Sequence, residues 1–349
     1  MQQVRLTLAE GKKLAFNCLI SNGCNQANAE ATAENMMVAE RDGCSSHGLF
    51  RLPSYVISLR NCKIDGHATP EMERLAPSIY RIDGKGGMAP LVHQTGRKMI
   101  IECARDHGVA IAAFVNIFHM AALWPDVEPL AEEGLAALAM MTSRRFVAPA
   151  YGSKPLFGTN PMAFAWPRTG RLPMVFDQAI SVMARGEVQM AARDGHTLPE
   201  GVGLDGSGHP TNDPRIVLDG VLLPFGGYKG SSIALMIDLL AGGLIGQPFS
   251  PEISAKSNND GGPEPGGQLL IALDPERFGN SEGWRDHCEG FFSEMTSHEG
   301  VRLPGVRRQS NRARIIEEGF KIPENLHIEI LELTRDPGAS DGQSGCKVF

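Results

Sequence analysis

The chain has 349 residues, with 33 Lys and Arg against 40 Asp and Glu, a formal charge of −7 at pH 7, 42 % hydrophobic and 21 % charged residues. Those proportions are those of a folded globular protein of about two domains, and the acidic balance argues against nucleic acid or an anionic membrane as partner. No run of 18 apolar residues occurs and the N-terminus carries no apolar signal core, so a cytoplasmic protein without a membrane span is expected. Seven scattered cysteines with no C-x-x-C pair read as reduced thiols, and ten dispersed histidines without metal-ligand spacing give no expectation of a metal.

In chain order, Thr7 and Glu10 form a capping box for a first helix whose Leu8, Phe16, Leu19 and Ile20 share a face, stopped at Asn22-Gly23. An alanine-rich second helix spans 26–41 and ends at Gly43, and a third runs from Ser46 to Asn61. From Ser78 the pattern alternates between strand and helix: strands at 79–82, 109–115, 135–141, 162–166, 174–176 and 269–273, and helices at 90–107, near 180–193 and at 231–245. The helix at 231–245 is apolar nearly all round and is expected to be buried. Segments 197–214 and 251–267 read as long loops, and 335–349 as a disordered tail.

Gly84-Lys85-Gly86-Gly87-Met88-Ala89, after a strand and before a helix, matches a dinucleotide fingerprint. Val115-Asn116, at the end of the next strand, supplies no acidic residue for a ribose hydroxyl, which counts against a Rossmann site. Gly226-Gly227-Tyr228-Lys229-Gly230-Ser231 is not a Walker A sequence, yet glycines and a lysine at a helix start suit an anion as well as they suit a plain helix entry. In Ser46-His47-Gly48-Leu49-Phe50-Arg51, an imidazole and a guanidinium one turn apart are the tools for a proton and a carboxylate. A helix cap beside a surface histidine would explain the same residues. Asp177 and Glu187 are carboxylates able to orient a histidine, or simply solvated charges.

Taken in order, Ser46-His47-Gly48-Leu49-Phe50-Arg51, Gly158-Thr159-Asn160-Pro161, Ala184-Arg185-Gly186, Pro210-Thr211-Asn212-Asp213-Pro214 and Gly226 to Ser231 resemble the malate/L-lactate dehydrogenase superfamily over about residues 5–333. Phe118-His119, Trp124-Pro125-Asp126-Val127-Glu128 and the segment 155–168 are similar to its Δ1-piperideine-2-carboxylate/Δ1-pyrroline-2-carboxylate reductase branch. The resemblance implies an α+β / α/β fold in which a helical portion joins a non-Rossmann, mixed-sheet NAD(P)H-binding domain like that of sulfolactate and malate dehydrogenases. It implies a helical portion over 1–75, joined by helices from 225–250 and 280–325. The α/β NADPH-binding domain would comprise 76–224 with 265–280 and 326–334.

It further implies NADPH-dependent reduction of cyclic imino acids, with a 2-hydroxy acid dehydrogenase as the alternative, NADPH rather than NADH, no metal, and a homodimer. Ser46, His47 and Glu187 would be the catalytic relay, with Arg51, Thr159, Arg185 and Gly186 on the substrate. NADPH would lie against His119, Met120, Ala121, Ala122 and Leu123; Asp177, Gln178 and Ala179; Tyr228 and Lys229; and Leu303, Pro304, Gly305, Val306, Arg307, Arg308 and Gln309. Tyr151, Glu187 and Tyr228 depart from the family pattern, and Tyr151 and Tyr228 are expected to reshape the pocket.

Overall fold

In a computed structural model, described for residues 2–278 and 283–336, the chain opens with strand β1 (Gln3–Leu6) and helices α1 (Leu8–Ser21) and α2 (Gln26–Arg41). The expected capping box is present: Glu10 N donates to Thr7 Oγ1 at 3.2 Å and Thr7 N to Glu10 Oε2 at 2.8 Å. The buried stripe of α1 is Gly11, Ala15, Cys18 and Leu19, so Ile20 faces solvent rather than the core. The helix expected from Ser46 is broken into two 3₁₀ turns, Ser45–His47 and Leu49–Arg51, before α3 (Leu52–Arg60). The break falls at Gly48, where a Cβ would collide with the buried carboxyl of Glu40, itself the acceptor for the Leu49 amide at 2.8 Å.

Then follow β2 (Glu71–Ala76), β3 (Ile79–Met88), α4 (Ala89–His107), β4 (Val109–Phe118), α5 (Trp124–Glu132), β5 (Ala136–Met141), β6 (Arg145–Val147), β7 (Phe157–Gly158), β8 (Met162–Trp166) and β9 (Met174–Gln178). After them come α6 (Arg185–Asp194), β10 (Gly203–Leu204), β11 (Pro210–Thr211), α7 (Pro214–Asp219), β12 (Val221–Leu222), α8 (Tyr228–Asp238, continued by a π-helical turn Leu239–Gly243) and α9 (Ser250–Lys256). The chain closes with β13 (Pro265–Leu273), α10 (Trp284–Ser297), α11 (Val306–Glu318), β14 (Phe320–Pro323) and α12 (Glu324–Arg335). The two segments expected to be loops therefore hold short strands and α9, and the tail from 337 lies outside the described residues.

Seven strands form the central sheet in the order β2-β3-β4-β13-β5-β8-β9, and only β3 and β4 run parallel. That mixed order is not a Rossmann sheet. The glycines at 84–87 are a strand irregularity: Lys85 and Gly86 have φ of +52° and +78°, and a Cβ on Gly84 or Gly87 would stand 2.6 Å from Ile117 Cγ2 or Ala68 Cβ. Both faces of the sheet are covered. Ala110, Ala112 and Phe114 of β4 pack with α4 and α5, while Ala113 and Val115 pack with Ala234, Ile237 and Ala241 of α8 and its π turn.

The helices of 225–250 thus cover the sheet instead of joining the N-terminal helices, and the outer face of α8 and its extension is left open: Leu235 is 51 % exposed, Leu239 52 % and Leu244 67 %. A helix laid on one sheet face buries one side only, which is why an all-apolar helix is not fully buried here. At the other end, Leu326 and Ile330 of α12 enter the core of α1 and α3, and β14 pairs with β1, so residues 326–334 belong to the helical portion. α10 lies at the sheet's edge, where Trp284 meets Trp166 edge-on at 5.7 Å and Arg168 pairs with Glu289 at 2.6 Å. Cys18, Cys24, Cys44, Cys103 and Cys288 are free, but Cys62 is disulfide-bonded, against the expectation of reduced thiols throughout.

Candidate active site

The 3₁₀ turns place Ser46, His47 and Arg51 together. Ser46 Oγ and His47 Nδ1 are 3.0 Å apart, and Arg51 Nε donates to the Ser46 carbonyl at 2.7 Å. Removal from water, with Arg51 and His119 nearby, pushes the His47 imidazole down to about 3, so it is neutral at physiological pH. Gly186, the first-turn glycine of α6, brings that helix against the turn: a Cβ there would stand 3.0 Å from Arg51 Nη2 and 3.7 Å from Ser46 Cβ. Any larger residue would push the guanidinium aside.

Arg51, Thr159, Arg185 and Gly186 line one cavity of about 310 Å3, together with His119 and Met120. Arg185 stacks 3.7 Å above the Phe146 ring, and burial with Arg144 nearby lowers its guanidinium to about 10. Thr159 Oγ1 lies 3.2 Å from Ser143 Oγ. Beside Thr159, Asn160 is fully buried at φ +33° and donates to Asp238 Oδ2 at 2.7 Å. The Gly-Thr-Asn-Pro turn is therefore anchored to α8 by its asparagine and faces the cavity with its threonine. Sequence reasoning missed Arg144, Phe146, Gln189 and Glu264, which also line the cavity and sit outside every quoted motif. Tyr151 is not among the lining residues; it is 97 % exposed.

Glu187 is not brought to His47. It stands in the first turn of α6, exposed, and its carboxylate accepts the Ala184 amide at 3.3 Å, which is helix-end chemistry.

The segments expected at a cofactor meet along β9. Asp177 Oδ2 accepts the amides of Leu123 and Trp124 at 2.7 and 2.9 Å, tying 177–179 to 119–123, and its burial raises its carboxyl despite those bonds. Arg308 Nη2 donates to the Val175 carbonyl at 2.7 Å with its guanidinium 4.9 Å above Trp124, and Gln309 Nε2 reaches the Pro173 carbonyl at 2.9 Å. Phe225 N donates to the Ile180 carbonyl at 2.9 Å, which ties the turn before α8 to the segment that follows β9. Trp124 in turn lies edge-on to His47, centroids 6.4 Å apart. Leu123 and Leu303 are buried, so they hold these segments in place from the core side.

The donor set fits an anionic dinucleotide. Lys229 and Arg307 are exposed, and among the described residues no carboxylate lies within 4.0 Å of either. The amides of Gly227, Lys229 and Gly230 are already bonded to the carbonyls of Pro224, Gly226 and Phe225. Those three amides are therefore taken up within the turn, and the cationic group at this helix start is the exposed Lys229 ammonium.

The malate/L-lactate dehydrogenase family model matches residues 6–331. The chain belongs to the malate/L-lactate dehydrogenase family. It is 42 % identical to the Δ1-pyrroline-2-carboxylate reductase of Ancylobacter novellus, covering 95 % of this chain and 98 % of that one. It is also 42 % identical to the Δ1-pyrroline-2-carboxylate/Δ1-piperideine-2-carboxylate reductase of Pseudomonas aeruginosa, covering 95 % and 99 %. The crystal structure of Δ1-piperideine-2-carboxylate reductase from Pseudomonas syringae pv. tomato superposes with a TM-score of 0.90 at 41 % identity, over 95 % of this chain and 99 % of that one. A (2R)-3-sulfolactate dehydrogenase (NADP(+)) of Chromohalobacter salexigens is 40 % identical over 93 % of this chain and 96 % of its own. As a malate/L-lactate dehydrogenase family oxidoreductase, the chain works with a nicotinamide cofactor. Four segments meet along β9, beside the cavity lined by Arg51 and His119, and so could hold a cofactor next to it.

Proposed function

We propose that this enzyme reduces cyclic 2-imino acids, Δ1-pyrroline-2-carboxylate to L-proline and Δ1-piperideine-2-carboxylate to L-pipecolate, using NADPH. The observation that carries the reading is the cavity walled by Arg51, Arg185 and Thr159 beside the Ser46–His47 pair, in a chain 42 % identical over its length to reductases of that name. Arg51 and Arg185 supply cationic forks for the substrate carboxylate, and Thr159 a hydroxyl that fixes the ring. His47 is neutral, with Nδ1 on Ser46, so it gives up an N–H proton only as it takes one back at its other nitrogen. Bound nicotinamide would supply the hydride. Lys229 and Arg307 would hold its phosphates, and Arg308 with Trp124 would form the wall between it and His47. The 40 % identical relative from Chromohalobacter, an NADP(+) sulfolactate dehydrogenase, supports NADP over NAD as the cofactor.

That same relative favours a second reading, a 2-hydroxy acid dehydrogenase, since Arg51 and His47 suit a 2-oxo acid equally well. Oxidation of NADPH, and of NADH in parallel, is to be followed with both cyclic imines, pyruvate and oxaloacetate. Turnover of the imines is expected, with His47→Asn at least about a hundredfold slower and NADPH binding retained. Turnover confined to the oxo acids would replace the first reading by the second. We further infer a homodimer formed through the open apolar face of α8 and its π turn.

A further inference from the structure

A cyclic imine and a 2-oxo acid differ at one atom beside the reacting carbon. The reactive imine is protonated on its ring nitrogen and presents an N–H carrying positive charge, where an oxo acid presents an oxygen that only accepts. Arg51 and His47 suit both, so a group that separates them lies elsewhere in the cavity wall. Among the described residues lining that wall, Glu264 is the one carboxylate, set against the guanidiniums of Arg51, Arg144 and Arg185.

The fold places Glu264 at the cavity. Pro265 of β13 pairs with Phe118 of β4, so the two chains leave the sheet side by side, and the next residue on each, Glu264 and His119, lines the cavity. The Glu264 side chain is 7 % exposed. Its Oε1 accepts the Ser257 hydroxyl and lies 3.6 Å from Arg144 Nη1. Its Oε2 is 2.9 Å from Lys63 Nζ but off the direction of a hydrogen bond, and among the described residues none reaches it. A buried oxygen left in that state is costly, and a bound N–H removes the cost.

Lys63, just after α3, bonds Asp260 Oδ1 at 3.0 Å and Asn258 Oδ1 at 3.2 Å. Asp260 in turn accepts the Ser58 hydroxyl at 3.0 Å and the Gly262 amide at 2.9 Å. Segment 257–264 is thereby clamped to α3, and a Cβ on Gly262 would run into the Ser58 side chain. Gly261, Gly262 and Pro263 of this segment complete the cavity wall beside Glu264.

We propose that Glu264 is a specificity-determining residue whose Oε2 accepts the N–H of the substrate iminium, with Lys63 and Asp260 as positioning residues that hold it there. This rests on the imine-reductase reading. A carboxylate on Arg51 and a ring N–H on Glu264 hold the substrate at two points and so fix the face of the ring that C2 presents. In the balanced step, C2 of the iminium accepts a hydride from the dihydronicotinamide, which is thereby oxidised, and the C=N π pair becomes the nitrogen lone pair. The amine so formed takes a proton from solvent and leaves as the ammonium. The iminium brings its first proton from solution, so the neutral His47 need not supply it. For a 2-oxo acid the same carboxylate opposes the carbonyl oxygen and the negative charge that grows on it.

The test compares full-length wild type with Glu264→Gln on both imines and on pyruvate, with NADPH. The amide is neutral and turns either its oxygen or its N–H toward a ligand. Glu264→Gln is therefore expected to lower kcat/KM for the imines by about ten- to a hundredfold and to lower it less, or raise it, for pyruvate. Calorimetry on the NADP+-loaded wild type, with pyrrole-2-carboxylate and furan-2-carboxylate, gives a readout that does not depend on the variant folding. These planar acids differ in a ring N–H against a ring oxygen, and the pyrrole acid is expected to bind at least about tenfold tighter. Lys63→Met, which keeps the carboxylate but releases the clamp, is expected to raise KM for imines and pyruvate alike by about three- to tenfold with kcat little changed, and Lys63→Arg to restore it. Equal affinity for the two planar acids, or a folded Glu264→Gln whose preference for imines is unchanged, would overturn the proposal while imine turnover stands. A wild type that turns over only oxo acids would remove the imine reading and the proposal with it.

Discussion

Glu40 is 3 % exposed beneath the turn that carries Ser46 and His47, and the cost of burying its charge pushes its carboxyl up to about 7. The folded protein therefore keeps a proton on Glu40 that the unfolded chain loses above its ordinary value of 4.5. The stability this contributes is present below pH 4.5 and is lost as pH rises toward 7. Glu40→Gln keeps the acceptor for the Leu49 amide and removes the ionisation. Relative to wild type, the variant should gain stability with rising pH, by up to about 3 kcal/mol above pH 7 and by almost nothing at pH 4. Urea denaturation across that range checks it, and a gain independent of pH would show that burial of Glu40 is not its cause. In the sequence Glu40 is one more polar residue on an alanine-rich helix, and nothing local marks it as buried. Gly48 was legible as part of a motif, but its reason, close approach to a carboxyl eight residues earlier in the chain, was not.

At the scale of elements, α2, α5 and α11 meet in one buried charge cluster. Arg312 bonds Asp42 at 2.9 and 3.0 Å and Glu128 at 2.7 and 2.9 Å, and Trp124 Nε1 donates to Asp42 Oδ2 at 3.0 Å. The two carboxylates raise the Arg312 guanidinium further, against the opposing effect of its burial. This cluster anchors α11, at whose start Arg308 and Gln309 bond the carbonyls of Val175 and Pro173 at the beginning of β9. Arg312→Met removes the shared cation from two buried carboxylates, and Arg41, 2.8 Å from Asp42, makes good only part of the loss. The expected cost is about 3–5 kcal/mol in urea denaturation, more than the loss of an exposed ion pair such as Arg285–Glu276 would produce. A loss below about 1 kcal/mol would mean that α11 is held by its apolar contacts instead. Long, periodic elements such as α1, α2, α4 and β8 were readable, because their own residues fix cap and face. α5 was not: Pro125 and Pro129 interrupt its pattern, and its buried charges find partners only in helices distant along the chain.

For the whole molecule, the ordered motifs marked both the family and the site residues that share the cavity, because those motifs are local turns with fixed chemistry. The allocation of helices to layers was less legible. An apolar helix at 231–245 announces burial but does not say against what, and α8 proved to cover the second sheet face while Leu235, Met236, Leu239 and Leu244 point outward. Tyr228, 58 % exposed, begins the same helix, so this open face runs up to Tyr228 and Lys229, the segment proposed to hold the cofactor. Contiguous apolar side chains on a folded surface mark a covering partner, and a second copy of the chain supplies one with the same composition. Light scattering should therefore give twice the chain mass for the wild type. Leu239→Glu, which places a charge at the centre of the face without touching the sheet, should give the monomer with an unchanged circular dichroism spectrum. Since the face continues to Lys229, the monomer should also bind NADPH more weakly. A wild-type monomer, or a Leu239→Glu variant that stays dimeric, would show that the dimer does not form through α8.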